Sequence, residues 1–253
     1  MHAFIEKKIK AEFCKQNCNP KKTSFFSSVD LNISIQYHFH IMTGIVDYNA
    51  GNIRSVERAL EYIKVPYILS KRPQDLKECD RLIFPGVGDC AYAMQQLAAT
   101  GFDIFLKDWY ASGKPLIGIC LGSQIVLEDS EEGNVKCLGL LKGHVRHLAN
   151  AWKELGINKD NSLKIPHMGF NNLNHLNGSS KLLENVPEDS NFYFVHSYFL
   201  EPEDKSTVKA TASYGFPVPV VLEKDNLTVF QFHPEKSGPA GLQILKNFVK
   251  EDL

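Results

Sequence analysis

No apolar run in this 253-residue chain approaches the ~18 residues that cross a bilayer as a helix. Charge of one sign is missing as well, since 28 Lys plus Arg face 29 Asp plus Glu for a net charge of −1. That balance gives no electrostatic case for nucleic acid or an anionic membrane, and neither is expected as a partner. There is no CxxC pair, no Cys/His cluster at zinc spacing, no P-loop and no full G-x-G-x-x-G, so neither a metal nor a cofactor is expected. The six cysteines, at 14, 18, 79, 90, 120 and 137, are too sparse for a disulfide-stapled secreted domain. Cys14 and Cys18 form the only close pair, without the His partners of a metal site. Free thiols in a reducing cytoplasm are the economical reading, and one of them is then available as a nucleophile. Cys79, Cys90 and Cys137 read as ordinary, partly buried thiols.

What is present is an ordinary globular composition, 43% hydrophobic and 23% charged, in a length that allows one domain or at most two. Residues 1–41 differ from the rest. They hold six Lys, no Arg and three acids, a local charge of +3 against −4 for the remainder. They lack both the apolar stretch of a signal peptide and the Arg of a mitochondrial transit peptide. The segment is expected to be an N-terminal extension, either a disordered tail or a misplaced start, with the functional domain spanning 42–253.

From Met42 the pattern alternates. Gly44–Asp47 reads as a strand, and Tyr48-Asn49-Ala50-Gly51 as a turn. Ile53, Val56, Ala59, Leu60 and Ile63 then recur at helical spacing. Strands are predicted at Pro66–Leu69, Arg81–Phe84 and Lys114–Ile119, with helices over Tyr92–Ala98 and Phe102–Tyr110. The C-terminal part predicts strands at Phe192–Leu200, Thr207–Ser213, Val218–Glu223 and Leu227–Phe232, then a helix from Gly238 to Lys250. Strands alternating with helices imply an α/β fold, a mainly parallel sheet covered on both faces. Ligands bind such sheets at the carboxyl ends of the strands. Gly86-Val87-Gly88 and Cys120 both fall at such ends.

Gly118-Ile119-Cys120-Leu121-Gly122 is a G-x-C-x-G, the cysteine counterpart of the nucleophile elbow. A sharp strand-to-helix turn exposes the nucleophile, and side chains at the two glycine positions would collide. Backbone N–H groups at the start of the helix favour the thiolate, and the Leu121 N–H can face a developing oxyanion. His233-Pro234-Glu235 supplies a base and a carboxylate. Pro234 biases His233 toward extended backbone, in which residues two apart project to the same side. Pro85-Gly86-Val87-Gly88 is either a bare turn, a phosphate cradle or a second oxyanion donor through Val87.

These residues carry a resemblance. Gly-Ile-Cys-Leu-Gly-Ser-Gln at 118–124, Pro-Gly-Val-Gly at 85–88 and His-Pro-Glu-Lys-Ser-Gly at 233–238 resemble the class I, triad-type glutamine amidotransferases. Asp47–Asn52, Pro166–Asn171 and Tyr193–Tyr198 narrow the likeness to the glutaminase subunits of imidazole glycerol phosphate synthase, over essentially all of 42–253. The resemblance implies a flavodoxin-like class I amidotransferase architecture. It implies that Cys120 attacks the glutamine side-chain amide, that His233 protonates the departing ammonia and that Glu235 orients His233. Gly86, Gly88, Gln124, His196, Ser197 and Tyr198 would hold glutamine. Asn52, Lys236 and the 166–171 stretch, with His167 and Met168, would face the partner. That partner would be a (β/α)₈ cyclase subunit in a heterodimer, receiving ammonia to make imidazole glycerol phosphate and AICAR in histidine biosynthesis.

Departures from the family pattern lie at Phe170, Asn49, Asp89-Cys90 and Ser123, none within the triad. They leave room for a paralogue supplying ammonia for sugar amidation in surface polysaccharide synthesis. A stand-alone cysteine hydrolase on the same fold would act without a partner. In a non-enzymatic interaction module Cys120 would be incidental, and its substitution would change nothing.

Overall fold

The computed structural model describes residues 41–49, 52–157, 162–175 and 180–250. The expectation for 1–41 falls almost wholly outside them, as do Cys14 and Cys18.

The chain opens β1 (Thr43–Val46), α1 (Ile53–Tyr62), β2 (Tyr67–Ser70), α2 (Pro73–Leu76), β3 (Arg81–Gly86), α3 (Cys90–Thr100), α4 (Phe102–Ala111) and β4 (Leu116–Cys120). A five-residue helix, α5 (Leu121–Ile125), follows, then β5 (Asp129–Ser130), β6 (Val135–Lys136), β7 (Gly143–His147), α6 (Leu148–Leu155), β8 (His167–Asn172) and β9 (Asn174–His175). The rest comprises β10 (Asn191–His196), β11 (Tyr198–Pro202), β12 (Val208–Ser213), β13 (Pro217–Lys224), β14 (Leu227–Phe230) and α7 (Gly238–Phe248).

The main sheet has the order β2-β1-β3-β4-β14-β13-β12-β9. Its first five strands are parallel, in the 2-1-3-4-5 arrangement of flavodoxin-like folds, and the last three are antiparallel. Alternation along the strands divides the core in two. Ile45, Ile83, Ile117 and Ile119 pack with α1 and α7 on one face, through Val56, Leu60, Ile244, Leu245 and Phe248. Val46, Leu82, Phe84 and Leu116 pack with α3 and α4 on the other, through Leu97, Phe102, Leu106 and Trp109. Strands buried on both faces need the continuous apolar runs seen here.

Helix ends follow local chemistry. The Asp89 carboxylate accepts from the Tyr92 N–H at 2.8 Å and caps α3, and Gly101 closes that helix at φ 74°. Asn49 takes the left-handed region at φ 66°, where asparagine is tolerated.

The single strand expected over Phe192–Leu200 is instead two. β10 pairs with β8 and β11 pairs with β7, with the chain breaking between them at Ser197. The buried face shifts across the break, from Phe192, Phe194 and His196 in β10 to Phe199 and Leu200 in β11. No helix among the described residues is long and apolar enough to cross a membrane.

Buried Arg81, at the start of β3, reaches the other end of the chain. Its guanidinium donates to the Phe248 carbonyl and to the Lys250 carbonyl at 2.8 Å, holding the end of α7. Arg81→Met should lower stability by about 2 kcal/mol, the scale of losing hydrogen bonds from a charged donor. The measurement is the urea midpoint, and an unchanged midpoint would remove Arg81 from this role.

Candidate active site

Cys120 ends β4 at φ 55° and ψ −110°, a conformation that non-glycine residues rarely adopt. The flanking glycines show why the turn closes. A Cβ on Gly118 would stand 2.8 Å from the Gly122 carbonyl oxygen, and one on Gly122 would strike the Phe84 carbonyl of β3. The collision expected from sequence is therefore real, and half of it is with the neighbouring strand. β3 runs beside β4 with Gly86 opposite Cys120, which sets the 86–88 loop next to the sulfur.

His233 comes from the far end of the chain and is tied to β10 by its N–H, which donates to the Tyr193 carbonyl at 3.0 Å. Ser237 fixes the turn from below, donating to the His233 carbonyl at 2.6 Å and accepting from the Tyr193 N–H at 3.0 Å. His233 Nδ1 lies 2.8 Å from Glu235 Oε1, and both side chains are about 2% exposed. The expected contact forms by a different route, because Glu235 sits in a 3₁₀ turn over Pro234–Lys236 rather than on extended backbone. His233 Nε2 has no hydrogen-bond partner that meets full geometry among the described residues, and Cys120 is the neighbour close enough to act on its proton affinity. Such bonds often tighten only when substrate binds. Burial works against a charged imidazole, yet the Cys120 sulfur and the Glu235 carboxylate prevail and raise the His233 pKa to about 9.

These groups open on one cavity of about 310 Å³ lined by Val87, Gly88, Cys120, Leu121, Gln124, Glu132, Pro166, Val195, His196, Ser197, Tyr198 and His233. Gly86 stands behind the wall, where Tyr48 packs. The Tyr48 hydroxyl is buried without a partner among the described residues, and burial, with Cys120 and Cys90 nearby, pushes its pKa up. The Gln124 amide nitrogen is committed to the Tyr198 carbonyl at 3.2 Å and to Gln231 Oε1 at 3.1 Å, so only its oxygen remains for a ligand. Both His196 ring nitrogens are engaged by protein atoms as well, leaving its backbone to offer.

Glu132 is the lining residue that sequence reasoning missed. Its carboxylate accepts from the Cys90 N–H at 3.0 Å, and burial raises its pKa against that bond. Nothing in the acid-rich Glu128–Glu132 run singles it out, because the fold alone brings it beside Cys90. Cys79 and Cys90 are fully buried rather than partly, and Cys90 Sγ lies 3.5 Å from Cys137 Sγ.

On the outer side, Met168 and Phe170 of β8 are each 64% exposed, and Lys236 Nζ lies 5.7 Å over the Tyr193 ring. Asn52 precedes α1. His167 departs from its expected place in an outward-facing stretch. It is 5% exposed, because alternation along β8 turns it inward while Met168 points out.

Comparison with known proteins agrees with this geometry. The family model described as glutamine amidotransferase class-I matches residues 44–251. Imidazole glycerol phosphate synthase subunit HisH of Bacillus subtilis (strain 168) is 45% identical over 210 residues, 83% of this chain and 96% of that protein. The protein of the same description from Acinetobacter baylyi is 40% identical over 83% of this chain and 98% of its own length. A solved structure described as a glutamine amidotransferase superposes with a TM-score of 0.62 at 17% identity, covering 81% of this chain and 98% of its own. A structure described as PurLQS from Thermotoga maritima gives 0.61 at 18%, covering 82% of this chain and 97% of its own. At those identities the two structures show the fold alone. The chain belongs to the class I glutamine amidotransferases, in the family of imidazole glycerol phosphate synthase subunit HisH.

Proposed function

We propose that residues 42–253 form a glutaminase that hydrolyses glutamine to glutamate and ammonia and passes the ammonia to a cyclase subunit in histidine biosynthesis. The observation that carries the reading is a strained cysteine and a buried His–Glu pair opening on one small cavity. The match to HisH proteins over nearly their full length supports the acceptor pathway.

The Cys120 thiolate attacks the side-chain amide carbon, and the N–H groups of Leu121 and Val87 would receive the oxyanion. His233 gives its proton to the departing nitrogen, so ammonia leaves and a thioester remains. His233 then takes a proton from water, hydroxide adds to the thioester, and collapse of the adduct releases glutamate and returns the Cys120 thiolate beside the protonated His233. Glu235 holds the imidazole and stabilises its charged form. Glu132, the acidic side chain in the cavity wall, suits the α-ammonium of glutamine, and Ser197 and Tyr198 suit its carboxylate end.

Ammonia set free in neutral water protonates and loses its nucleophilicity, so it needs direct delivery. The proposed recipient is a (β/α)₈ cyclase in a cytoplasmic heterodimer. Exposed Met168 and Phe170, with Lys236 and Asn52, would face it.

Glutamate release by the full chain should rise strongly when the cognate cyclase and its nucleotide ligand are added. Cys120→Ala should abolish it, by a factor on the order of 10⁴ or more. Release that ignores the cyclase would overturn the partner-gated reading. Glu235→Gln should keep the fold and lose about 10³-fold in kcat, since the histidine loses its charged orienter.

The pH dependence has a definite sign. His233 is raised from the ordinary 6.5 to about 9, so its cation is present below that value and disappears as pH rises through it. The alkaline limb of kcat/KM should therefore lie near 9 and move to lower pH in Glu235→Gln. A limb that stays in place would separate Glu235 from the histidine's charge.

A further inference from the structure

Two histidines outside the triad form a closed hydrogen-bond chain whose protons can be assigned one by one. His167 of β8 lies opposite His196 of β10 in the antiparallel register. His167 Nδ1 is 3.0 Å from His196 Nε2, and His196 Nδ1 is 2.7 Å from the Tyr198 carbonyl. At the other end, Asn171 Nδ2 donates to the Ser213 carbonyl at 3.0 Å and sits 3.4 Å from His167 Nε2. The Asn171 amide is oriented independently, because its oxygen accepts from the Asn172 N–H at 2.9 Å.

A carbonyl only accepts, so His196 Nδ1 carries a proton. An amide NH₂ only donates, so His167 Nε2 carries none. His167 Nδ1–H must then donate to a bare His196 Nε2. Every position in the chain is filled, and a further proton on either ring would set two donors face to face. The His167 ring is clamped between Phe194, with centroids 4.7 Å apart and planes 17° apart, and Tyr214, at 3.9 Å and 18°.

His196 lines the same cavity as Cys120 and His233. The titratable groups around it are His167 from β8, His233 and Cys120 of the triad, Tyr198 of β11, and Glu132 in the same wall. A second imidazolium there would repel the His233 cation and compete for the Cys120 thiolate. We infer that His167 is a positioning residue, whose Nδ1–H keeps His196 neutral so that His233 is the one imidazolium facing the cysteine. The inference rests on the glutaminase reading above. The low proton affinity of both rings agrees with it: burial brings His167 to about 4 and, with His167 and His233 adding to the effect, His196 to about 3.

The discriminating variant is His167→Phe, which keeps an aromatic ring in the Phe194–Tyr214 clamp and removes the donor. His167→Asn restores an N–H at the same place. In His167→Phe, the His196 pKa should rise from its wild-type position while burial still holds it below the ordinary imidazole value. The acid limb of kcat/KM for glutamine should then shift to higher pH relative to wild type. Near pH 8 the two should agree, and His167→Asn should recover the wild-type acid limb. A wild-type profile in His167→Phe, or equal losses in both variants at every pH, would reduce His167 to packing. Nitrogen NMR of histidine-labelled wild-type protein decides the matter without any variant or activity. Both rings should show Nδ1–H and no titration above pH 5, roughly a unit over their lowered values. Titration of His196 near 6.5 in wild type would overturn the inference. A wild type that hydrolyses no glutamine, with the rings behaving as described, would instead overturn the proposed function.

Discussion

Everything in this site hangs on one backbone geometry, the left-handed turn at Cys120. Holding a non-glycine residue there costs about 1–3 kcal/mol, so the surroundings must over-determine it. They do so by close approach. Gly118 and Gly122 allow the backbone to fold back on itself, and Gly122 lies against the Phe84 carbonyl, where no larger residue fits. Because β3 and β4 are neighbours in register, the constraint that presents the sulfur also brings the 86–88 loop alongside it. One packing requirement thus positions both the nucleophile and the loop beside it.

The second layer is electrostatic. A buried imidazole would ordinarily lose its proton, and His233 keeps its own because the cysteine and Glu235 outweigh burial. Nearby His196 and His167 face the same burial with no anion to offset it, and they fall the other way. Three histidines within one region therefore divide into one cation and two neutral rings. Hydrogen-bond partners, not depth of burial, make the division. His233 meets a carboxylate, whereas His196 meets a carbonyl and another ring.

Much of this was legible in the residues. The β1-to-β4 half could be read because each element carries its own period, and the elbow because glycines flank a cysteine at the end of a strand. The His233–Glu235 contact could be anticipated from spacing, although the 3₁₀ turn that makes it could not. What stayed hidden depends on tertiary pairing. The break at Ser197 lies inside a stretch rich in aromatic residues and exists because β10 and β11 join different sheets. His167 read as part of an outward stretch, and its inward turn becomes apparent only once β8 is seen to be a strand. Glu132 reaches the cavity through a loop whose position is set by Cys90, far away in sequence. β12 and β13 were legible as strands, but their antiparallel pairing onto the parallel half and the short β9 were not.

The central claim is that one cysteine among several is a nucleophile in a glutamine-shaped site. The most direct measurement is mass mapping after treating the full chain with a chloroketone built on the glutamine skeleton. The account predicts one equivalent of label on the peptide carrying Cys120, none on those carrying Cys79, Cys90 or Cys137, and protection by glutamine. Label spread over several cysteines, or labelling of Cys120 that glutamine does not slow, would contradict it.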